Sequence, residues 1–381
     1  MNLEQLTEQL AAWEPTEFPF VSLYLNTQPN ETGRGNYDSF LRKQFEEIAK
    51  TFPLRSPEQE SFTQDTNRIQ AYLESELPKS ANGVAIFACS GADFFEAMPL
   101  EGGIDRHRVS VANYPDIYPL ARLQDQYKKY AAVLLDSNSA RIFVFGLGRQ
   151  LAQEVIASPK TNRTQVGGWS QARYQRHTEN IHLHHVKEVV ETLERIVREE
   201  QIEDVLRAGD EVIIPVMREQ MPSALKEKIV DVLRLDVNTP EHEVLQTTLE
   251  RMREKDADDD VAKVERLLNE YRSGGLAVVG VEPTRAALEM GQVDELIISA
   301  TRSEVKGEEV KDENGTRATE TPTVLASAVE SGTPEVESKA VAVTDELAIQ
   351  AQRTAARIVF IEDPSLLAEV GGVGALLRFK L

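Results

Sequence analysis

The residues best suited to chemistry lie in one short polar segment that follows a pair of adjacent glycines. Gly167 and Gly168 precede the sequence Trp-Ser-Gln-Ala-Arg-Tyr-Gln-Arg, which ends at Arg176. Adjacent glycines permit backbone torsions closed to other residues and let the main chain approach a ligand without an intervening Cβ. The amide of Gln171 can donate and accept hydrogen bonds, so it could orient a water molecule or a carbonyl oxygen. These residues predict a loop that enters a crowded site, although most glycine pairs are only turns.

The same segment is basic within an acidic chain. The 381 residues carry a formal net charge of −21. This argues against a protein that coats nucleic acid non-specifically, because phosphate binding depends on Lys and Arg. Between residues 160 and 180, one acid stands against four bases, which are Lys160, Arg163, Arg173 and Arg176. The last two flank Tyr174 at the expected start of a helix, where backbone amides favour anions. They form either a solvated helix face or a contact with RNA phosphates.

Other polar clusters predict no metal or cofactor site. Four histidines follow the basic segment, namely His177, His182, His184 and His185. Only His182 and His185 have the spacing of one helical turn, and no cysteine lies nearby, so we expect solvated or RNA-facing histidines. The one cysteine, Cys89, follows an apolar strand-like run and is expected in the core. The glycines at 146–148 and 371–374 lack the spacing of nucleotide-binding loops and are expected to be turns.

A hairpin and a long helix are expected to hold the glycine pair. Residues 131–135 and 141–145 are rich in β-formers and flank a polar turn, which predicts the hairpin. After the glycines, a helix with one buried face is predicted from apolar residues spaced by three and four, which are Val186, Val189, Val190, Leu193, Ile196 and Val197. Residues 212–216 are predicted to be a buried strand, followed by helices over 225–233 and 244–252. The acidic run at 256–260 is expected in a connection or at a helix end.

Mixed α/β units are expected on both sides of this segment. N-terminal strands are predicted at 21–25, 84–88 and 94–100, with helices at 37–52 and 58–76. C-terminal strands at 276–279, 296–298 and 358–361 alternate with helices at 284–290, 344–357 and 365–370, and a last strand follows the glycines at 371–374. Residues 303–344 have no aromatic residue and nine acids against four bases, so they are expected to be a disordered acidic insertion.

Length and composition predict a globular protein of several domains. The chain has 41% apolar and 28% charged residues, and its length predicts two or three domains, with three as the working number. We predict an N-terminal α/β domain at 1–126, a middle domain at 127–257 and a C-terminal domain at 258–381. The chain does not start with a basic and apolar leader, and it has no apolar run long enough to span a membrane. A cytoplasmic location is therefore expected.

Residues 167–176 resemble the tip loop of the archaeal and eukaryotic class I peptide-chain release factors. In that family, a Gly-Gly-Gln loop is followed by Ser, two small or apolar residues, Arg, an aromatic residue, one more residue and Arg, and then by a long helix. The pattern is matched by Gly167, Gly168, Ser170, Arg173, Tyr174 and Arg176. Trp169 occupies the glutamine position. A second alignment, Gly-Trp-Ser-Gln at 168–171, is similar to the Gly-rich loop with Ser-Gln in a divergent branch that rescues stalled ribosomes.

The resemblance extends to the C-terminal part of the chain. Residues 281–298 are similar to a segment of release factors and Pelota in which a helix leads into a strand, and residues 371–379 are similar to their closing strand. The resemblance covers about residues 131–381, interrupted by the acidic insertion. The family's stop-codon-reading motifs, Asn-Ile-Lys-Ser and Tyr-x-Cys, are not found in the N-terminal part, so stop-codon reading is not implied.

The resemblance implies a fold, an activity and a set of site residues. The fold would be α/β in three domains, with an RNase H-like sheet and a long helix in the middle domain and a Pelota-like C-terminal domain. The activity would be entry into the ribosomal A site and peptidyl-tRNA hydrolysis, in termination or rescue. The residues implied in catalysis are Gln171, Gly167 and Gly168. The residues implied in RNA binding are Lys160, Arg163, Trp169, Ser170, Arg173, Tyr174 and Arg176.

The resemblance also implies partners and leaves alternatives open. The partners would be ribosomal RNA, peptidyl-tRNA and an elongation-factor-like GTPase, with no cofactor, metal, DNA or membrane. Trp169 in the glutamine position favours the alternative of a non-catalytic hibernation or protection factor, as among the Balon-type relatives. A third hypothesis is that the fold serves an unrelated protein contact, with the acidic insertion as its interaction arm.

Overall fold

A computed structural model describes residues 3–28, 37–100, 104, 106–126, 128–146, 149–157, 169–210, 212–305, 324–329 and 334–380. At residues 149, 169–179, 324, 325, 328, 329 and 334–340 it describes the backbone alone. The chain divides into two compact units, residues 1–126 with 257–381 and residues 127–256. The three domain boundaries expected from the sequence stay a prediction. The mixed α/β class is confirmed by the helices and sheets of both units.

Helices and strands alternate along the chain. The first elements are α1 (Leu3–Ala11), β1 (Phe20–Asn26), α2 (Tyr37–Ala49), α3 (Pro57–Ser75), β2 (Gly83–Cys89), β3 (Phe94–Leu100), β4 (Arg108–Ala112) and α4 (Tyr118–Gln126). They are followed by β5 (Tyr130–Leu135), β6 (Ser139–Gly146), β7 (Arg149–Ala157), α5 (Trp169–Glu199), β8 (Asp204–Gly209), α6 (Ile213–Gln220), α7 (Ser223–Glu227), β9 (Ile229–Leu233) and α8 (Glu241–Arg272). The last are β10 (Ala277–Val279), α9 (Val281–Glu289), β11 (Val293–Ser299), β12 (Val324–Val329), α10 (Pro334–Arg353), β13 (Arg357–Ile361) and β14 (Val373–Leu377), with a short 3-10 helix at Pro364–Val370.

The first unit contains two sheets that share one apolar core. The sheet order β12-β4-β1-β2-β3 is antiparallel throughout, and the order β10-β14-β11-β13 contains one parallel pair, β11 with β13. Helices α2 and α3 cover one face of the first sheet. Its other face contributes Tyr24 and Phe87 to a cluster that also contains Leu296, Leu347 and Phe360 from the C-terminal part. The two ends of the chain therefore bury apolar surface together. Cys89 lies in the same cluster, so its predicted core position is confirmed.

Part of the segment expected to be disordered is ordered strand and helix. Strand β12 pairs antiparallel with β4, so that residues from the C-terminal half complete the N-terminal sheet. Ala326 packs against the core under that sheet. Helix α10 begins at Pro334, where proline is well suited to a first helical position, rather than at residue 344. The expectation of disorder was wrong for 303–305, 324–329 and 334–344. Residues 324–329 are uncharged and form a strand, and residues 334–344 extend the predicted helix toward the N-terminus. Residues 306–323 and 330–333 lie outside the described residues.

A buried charge cluster links the two ends of the first unit. Arg302 Nη2 donates to Asp116 Oδ1 and, at 3.0 Å, to Asp345 Oδ1, and all three side chains are buried. The guanidinium also lies 4.4 Å from the ring centre of Tyr118. Burial raises the pKa of the Asp345 carboxyl, and the attraction of Arg302 opposes this rise. Tyr24 adds a hydrogen bond of 2.6 Å from its hydroxyl to the Asp116 carbonyl oxygen. The cluster is a specific polar contact inside an otherwise apolar core.

A buried carboxyl on α3 gives the first unit a testable pH dependence. Asp65 Oδ1 accepts the Ser90 backbone N–H at 2.7 Å, and burial raises the Asp65 pKa from 3.8 to about 6. The folded state therefore holds a proton that the unfolded state has lost between about pH 4 and pH 6, so stability falls as pH rises through this window. Asp65→Asn keeps the accepting oxygen and removes the ionisation. Between pH 4 and pH 7, we expect the free energy of unfolding of the variant to rise by about 2–3 kcal/mol relative to that of wild type.

The measurement is chemical unfolding of both proteins at several pH values between 4 and 7. Asp38→Asn on α2 is the matched control, because its side chain is exposed and the same atoms are changed. An Asp65→Asn difference that does not vary with pH would show that the carboxyl is ionised in the folded protein at pH 4.

The second unit is a single sheet with helices on both faces. The strand order is β7-β6-β5-β8-β9, with β5 parallel to β8 and β8 parallel to β9. Helices α5, α6 and α7 pack on one face, and the first half of α8 packs on the other. The predicted hairpin is confirmed as β5 and β6, whose turn is fixed by Asp136 Oδ1 accepting the Asn138 and Ser139 backbone N–H groups at 2.7 Å.

Three predicted elements of this unit were wrong. Residues 212–216 start helix α6 rather than a strand, because Asp210 Oδ1 accepts the Val212 N–H at 3.0 Å and the Asp210 carbonyl accepts the Ile213 N–H at 3.0 Å. Residues 229–233, expected in a helix, form β9, since they add a parallel strand beside β8. The acidic run at 256–260 lies inside α8 rather than at a helix end. In the first two cases a helix-starting turn or a contact distant in sequence outweighs the local pattern.

Candidate functional site

A single long helix follows the glycine pair. Helix α5 begins at Trp169, directly after Gly168, and continues for 31 residues to Glu199. The long helix predicted after the glycines is therefore confirmed. Because the first backbone N–H groups of a helix have no partner within it, the first turn from Trp169 is a place where an anion is stabilised.

The second half of α5 is seated on the sheet. The predicted apolar face is buried against strands β5, β6 and β8 through Val186, Val189, Val190, Leu193, Ile196 and Val197. Side chains 180–184 are exposed or half-buried. The 16 helical residues before residue 185 correspond to about 24 Å at 1.5 Å per residue. The helix therefore starts about 24 Å along its axis before the first residue that is buried on the sheet.

The start of α5 lies at a defined end of the sheet. Strand β7 is antiparallel to β6, and β6 is antiparallel to β5, so β7 runs in the same direction as β5 and β8. Helix α5 connects the end of β7 to the beginning of β8, and it must run opposite to the strands. Its first residue therefore lies on the side of the carboxyl ends of β5 and β8. Ligand sites of open α/β sheets are built at this end.

The predicted site residues fall into two groups. Gly167, Gly168, Lys160 and Arg163 lie outside the described residues. The six others are in the first turns of α5, where the backbone is described, and they are Trp169, Ser170, Gln171, Arg173, Tyr174 and Arg176. Arg173 and Arg176 are thus three residues apart on a helix, as the spacing predicted. Their roles in RNA binding, and that of Gln171 in catalysis, stay predictions.

The histidines near this segment differ from expectation at one position. His185 is 1% exposed and belongs to the seated half of α5, so the prediction of a solvated or RNA-facing side chain was wrong there. Residue 185 precedes Val186 on the apolar face of the helix, which explains its burial. Within the ranges that the structure describes, no cluster of His, Cys, Asp or Glu has the arrangement of a metal site. No helix among the described residues has the length and apolar character needed to cross a membrane.

One set of basic residues was not singled out by the sequence. Arg207, Arg218 and Lys226 line a cleft beside β9, although they come from strand β8 and helices α6 and α7. They are separated by up to 19 positions among acids of similar number, so no local charge pattern marks them. Only the fold brings them together.

Two family models match most of the chain. One, described as bacterial archaeo-eukaryotic release factor family 10, matches residues 115–253, and the other, described as eRF1 domain 3, matches residues 257–381. Residues 115–253 are thus similar to the bacterial archaeo-eukaryotic release factors, and residues 257–381 are similar to the third domain of eRF1. The first match contains the glycine pair and α5, and the second contains β10 to β14. The resemblance drawn from the tip-loop pattern and from the C-terminal segments is confirmed.

The individual proteins to which this chain is similar are distant from it in sequence. The peptide chain release factor subunit 1 of Pyrococcus abyssi (strain GE5 / Orsay) is 24% identical over 288 residues, which is 69% of each chain. The crystal structure of the archaeal translation termination factor aRF1 has 15% identity, with 99% of this chain and 97% of that chain covered and a TM-score of 0.26. Archaeoglobus fulgidus Pelota has 13% identity, with 100% and 93% covered and a TM-score of 0.37. The archaeal Pelota in a model of ribosome-bound Pelota and ABCE1 has 13% identity, with 100% and 95% covered and a TM-score of 0.42.

Proposed function

We propose that this protein is cytoplasmic and ribosome-associated, and that it enters the A site and hydrolyses peptidyl-tRNA in termination or rescue. The observation that carries the proposal is the glycine pair placed directly before a 31-residue helix, within a segment that matches a release factor family model. The 16 helical residues that precede residue 185 add about 24 Å of helix between the glycine pair and the buried part of α5. A tip on such a helix suits entry into a narrow channel of RNA.

The proposed chemistry assigns a role to each residue type at the tip. Gly167 and Gly168 let the backbone approach the ester that joins peptide and tRNA. Gln171 orients the attacking water, since its amide both accepts and donates hydrogen bonds without a change in charge. A glutamine that holds water against the ester lowers the cost of ordering the nucleophile.

The remaining tip residues are proposed to hold RNA. Lys160, Arg163, Arg173 and Arg176 bind backbone phosphates, for which the guanidinium groups offer paired donors. Trp169 and Tyr174 offer aromatic faces on which a base can stack, and Ser170 adds a hydroxyl. Ribosomal RNA and peptidyl-tRNA are the proposed partners, and an elongation-factor-like GTPase is the proposed delivery partner.

A second candidate function is a non-catalytic factor that occupies the A site and protects the ribosome. Trp169 in the position of the family glutamine favours this candidate. An indole N–H only donates a hydrogen bond, so Trp169 cannot accept one from water as a glutamine does. In this case the tip residues would bind RNA and no ester would be cut.

The experiment that tests the proposal uses ribosomes stalled with labelled peptidyl-tRNA in the P site and an empty A site. Co-sedimentation measures binding, and single-turnover release of labelled peptide measures hydrolysis. Binding with release supports the proposed hydrolase, and binding without release supports the protection factor. A protein that neither co-sediments with ribosomes nor binds tRNA would refute both candidates.

A further inference from the structure

A cleft of about 330 Å³ opens at the edge of the second unit, beside strand β9. Its polar side is formed by Arg207 on β8, Arg218 on α6 and Lys226 on α7. Its apolar wall includes Met221 and Ile229. One strand and two helices of the second unit thus place three cations around one cavity.

Among the described residues, the charge of this cleft is not balanced by an acid. In the described part of the chain, Arg207, Arg218 and Lys226 form no ion pair, and the acid in the lining, Asp231, is already engaged. Asp231 Oδ2 accepts from Arg251 Nε at 2.5 Å, and Asp231 Oδ1 accepts the Val232 N–H at 2.7 Å. The cleft therefore has an excess of positive charge in a chain of net charge −21.

Arg207 is held in a state that an anion would stabilise. Its side chain is half-buried, and its Nε atom is shielded from solvent without a hydrogen-bond partner in the structure. Burial, followed by repulsion from Arg218, lowers the pKa of Arg207. An unpaired buried donor on a charged group costs free energy, because it has lost water and gained no acceptor.

Two other arginines of this protein have at least one internal acceptor for the guanidinium, although Nε and Nη1 of Arg302 also lack a partner. Arg302 donates to two aspartates, and Arg141 Nη1 donates to the carbonyl oxygens of Val237 and Thr239 at 3.1 and 2.7 Å. A structural arginine at position 207 would be expected to have a comparable internal acceptor. No hydrogen bond of the Arg207 guanidinium is found within the described residues, so its donors are free to bind an acceptor from outside the chain.

We propose that the cleft between Arg207, Arg218 and Lys226 binds a phosphate group of an RNA backbone. Two guanidinium groups and an ammonium match the charge and the several acceptor oxygens of a phosphodiester. The apolar wall at Met221 and Ile229 can receive the adjoining sugar, which an inorganic anion would leave uncovered. The inference rests on the proposed ribosomal function and adds to it a second RNA contact, separate from the tip of α5.

The test compares wild type with Arg218→Gln/Lys226→Gln, in which both changed side chains are exposed and lie on the surface of α6 and α7. The matched control is Arg253→Gln/Arg266→Gln on α8, which removes the same charge from exposed positions that do not line the cleft. Binding is measured by co-sedimentation with ribosomes and by fluorescence anisotropy of a labelled single-stranded RNA oligonucleotide, each over a range of KCl concentrations. Thermal unfolding verifies that both variants are folded.

For the cleft variant we expect about tenfold weaker binding to both RNA partners and a salt slope smaller in magnitude by about 1. The control should stay within about twofold of wild type. Equal affinity and slope for wild type and cleft variant, in either assay where wild type binds, would overturn the proposal. A third outcome is that wild type binds ribosomes, that substitution of tip residues weakens this binding, and that the cleft variant binds as tightly as wild type. This outcome would support the proposed function and refute only the RNA contact at the cleft.

Binding of the RNA oligonucleotide distinguishes failure of the ribosomal function from failure of the phosphate site. If wild type fails to bind ribosomes but binds the oligonucleotide through the cleft, the ribosomal function fails and the phosphate site stands. Titration with inorganic phosphate at constant ionic strength distinguishes the source of the anion. One outcome is that phosphate stabilises wild type against unfolding but not the cleft variant, while both proteins bind RNA equally. The cleft would then be a site for a free anion, and the proposed RNA contact would be overturned.

Discussion

Gln171→Ala is expected to slow single-turnover peptide release from stalled ribosomes by about 100-fold or more, the loss seen when one positioned hydrogen-bonding group is removed from a transition state. The alanine keeps the helix, since alanine favours helical backbone, and position 171 lies in the first turn of α5. Ribosome binding should change little, because the residue is assigned to water and not to phosphate. The expected signature is therefore a loss in rate with an almost unchanged affinity.

Gln175→Ala is the matched control, because it makes the same chemical change one helical turn further along α5. Its release rate should stay within a few-fold of wild type. Release by Gln171→Ala at the wild-type rate would exclude Gln171 as the water-positioning group. If wild type itself does not release peptide, Trp169→Gln, which restores the family residue beside Gly168, becomes informative. A gain of release in this variant over an inactive wild type would support the protection factor.

Arg302→Met is expected to lower the free energy of unfolding of the first unit by about 3–5 kcal/mol, because it leaves Asp116 and Asp345 buried without their shared donor. Methionine fills a similar volume, so the loss reports charge rather than a cavity. Urea unfolding followed by tryptophan fluorescence measures it. The chain has two tryptophans, and in a Trp169→Phe background the signal comes from Trp13, which packs edge-on against Phe20 and Phe94 in the first unit.

Asp345→Asn is the control for this prediction. Burial raises the pKa of the Asp345 carboxyl, so its protonated form is favoured, and an amide resembles that form in shape and charge. We expect a cost of about 1 kcal/mol or less at neutral pH. Equal losses for Arg302→Met and Asp345→Asn would mean that Asp345 is fully ionised in the folded protein and that the cluster is an ordinary ion pair.

Elements with a strong local period could be predicted from the sequence. The apolar stripe from Val186 to Val197 determined the buried face of α5, and the turn at 136–139 determined the β5–β6 hairpin, because both depend on residues close in sequence. Strand β9 and the start of α6 could not be predicted in the same way. The apolar residues of 212–216 and 229–233 fit either a strand or a helix, and the choice is made by pairing with β8 and by the Asp210 turn.

The candidate site shows the same division. The glycine pair, the helix that follows it and the two arginines are contiguous in sequence, so a single motif was enough to predict them. The cleft at Arg207 depends on three elements and on the prior engagement of Asp231 by Arg251, which no spacing rule contains. Disorder was over-predicted at 324–329, since composition averaged over 42 residues hides six uncharged ones that form a sheet edge.

The pairing of β12 with β4 has a consequence for how the protein is made. Strand β4 ends at Ala112, and its partner begins about 210 residues later at Val324, so the N-terminal sheet emerges from the translating ribosome long before its last strand exists. Throughout that interval the β4 edge is an open template for pairing with other chains. We expect nascent chains halted before residue 324 to be prone to aggregation and sensitive to proteases. This protein, for which we propose a function on the ribosome, thus needs nearly uninterrupted synthesis of its own chain to complete its first sheet.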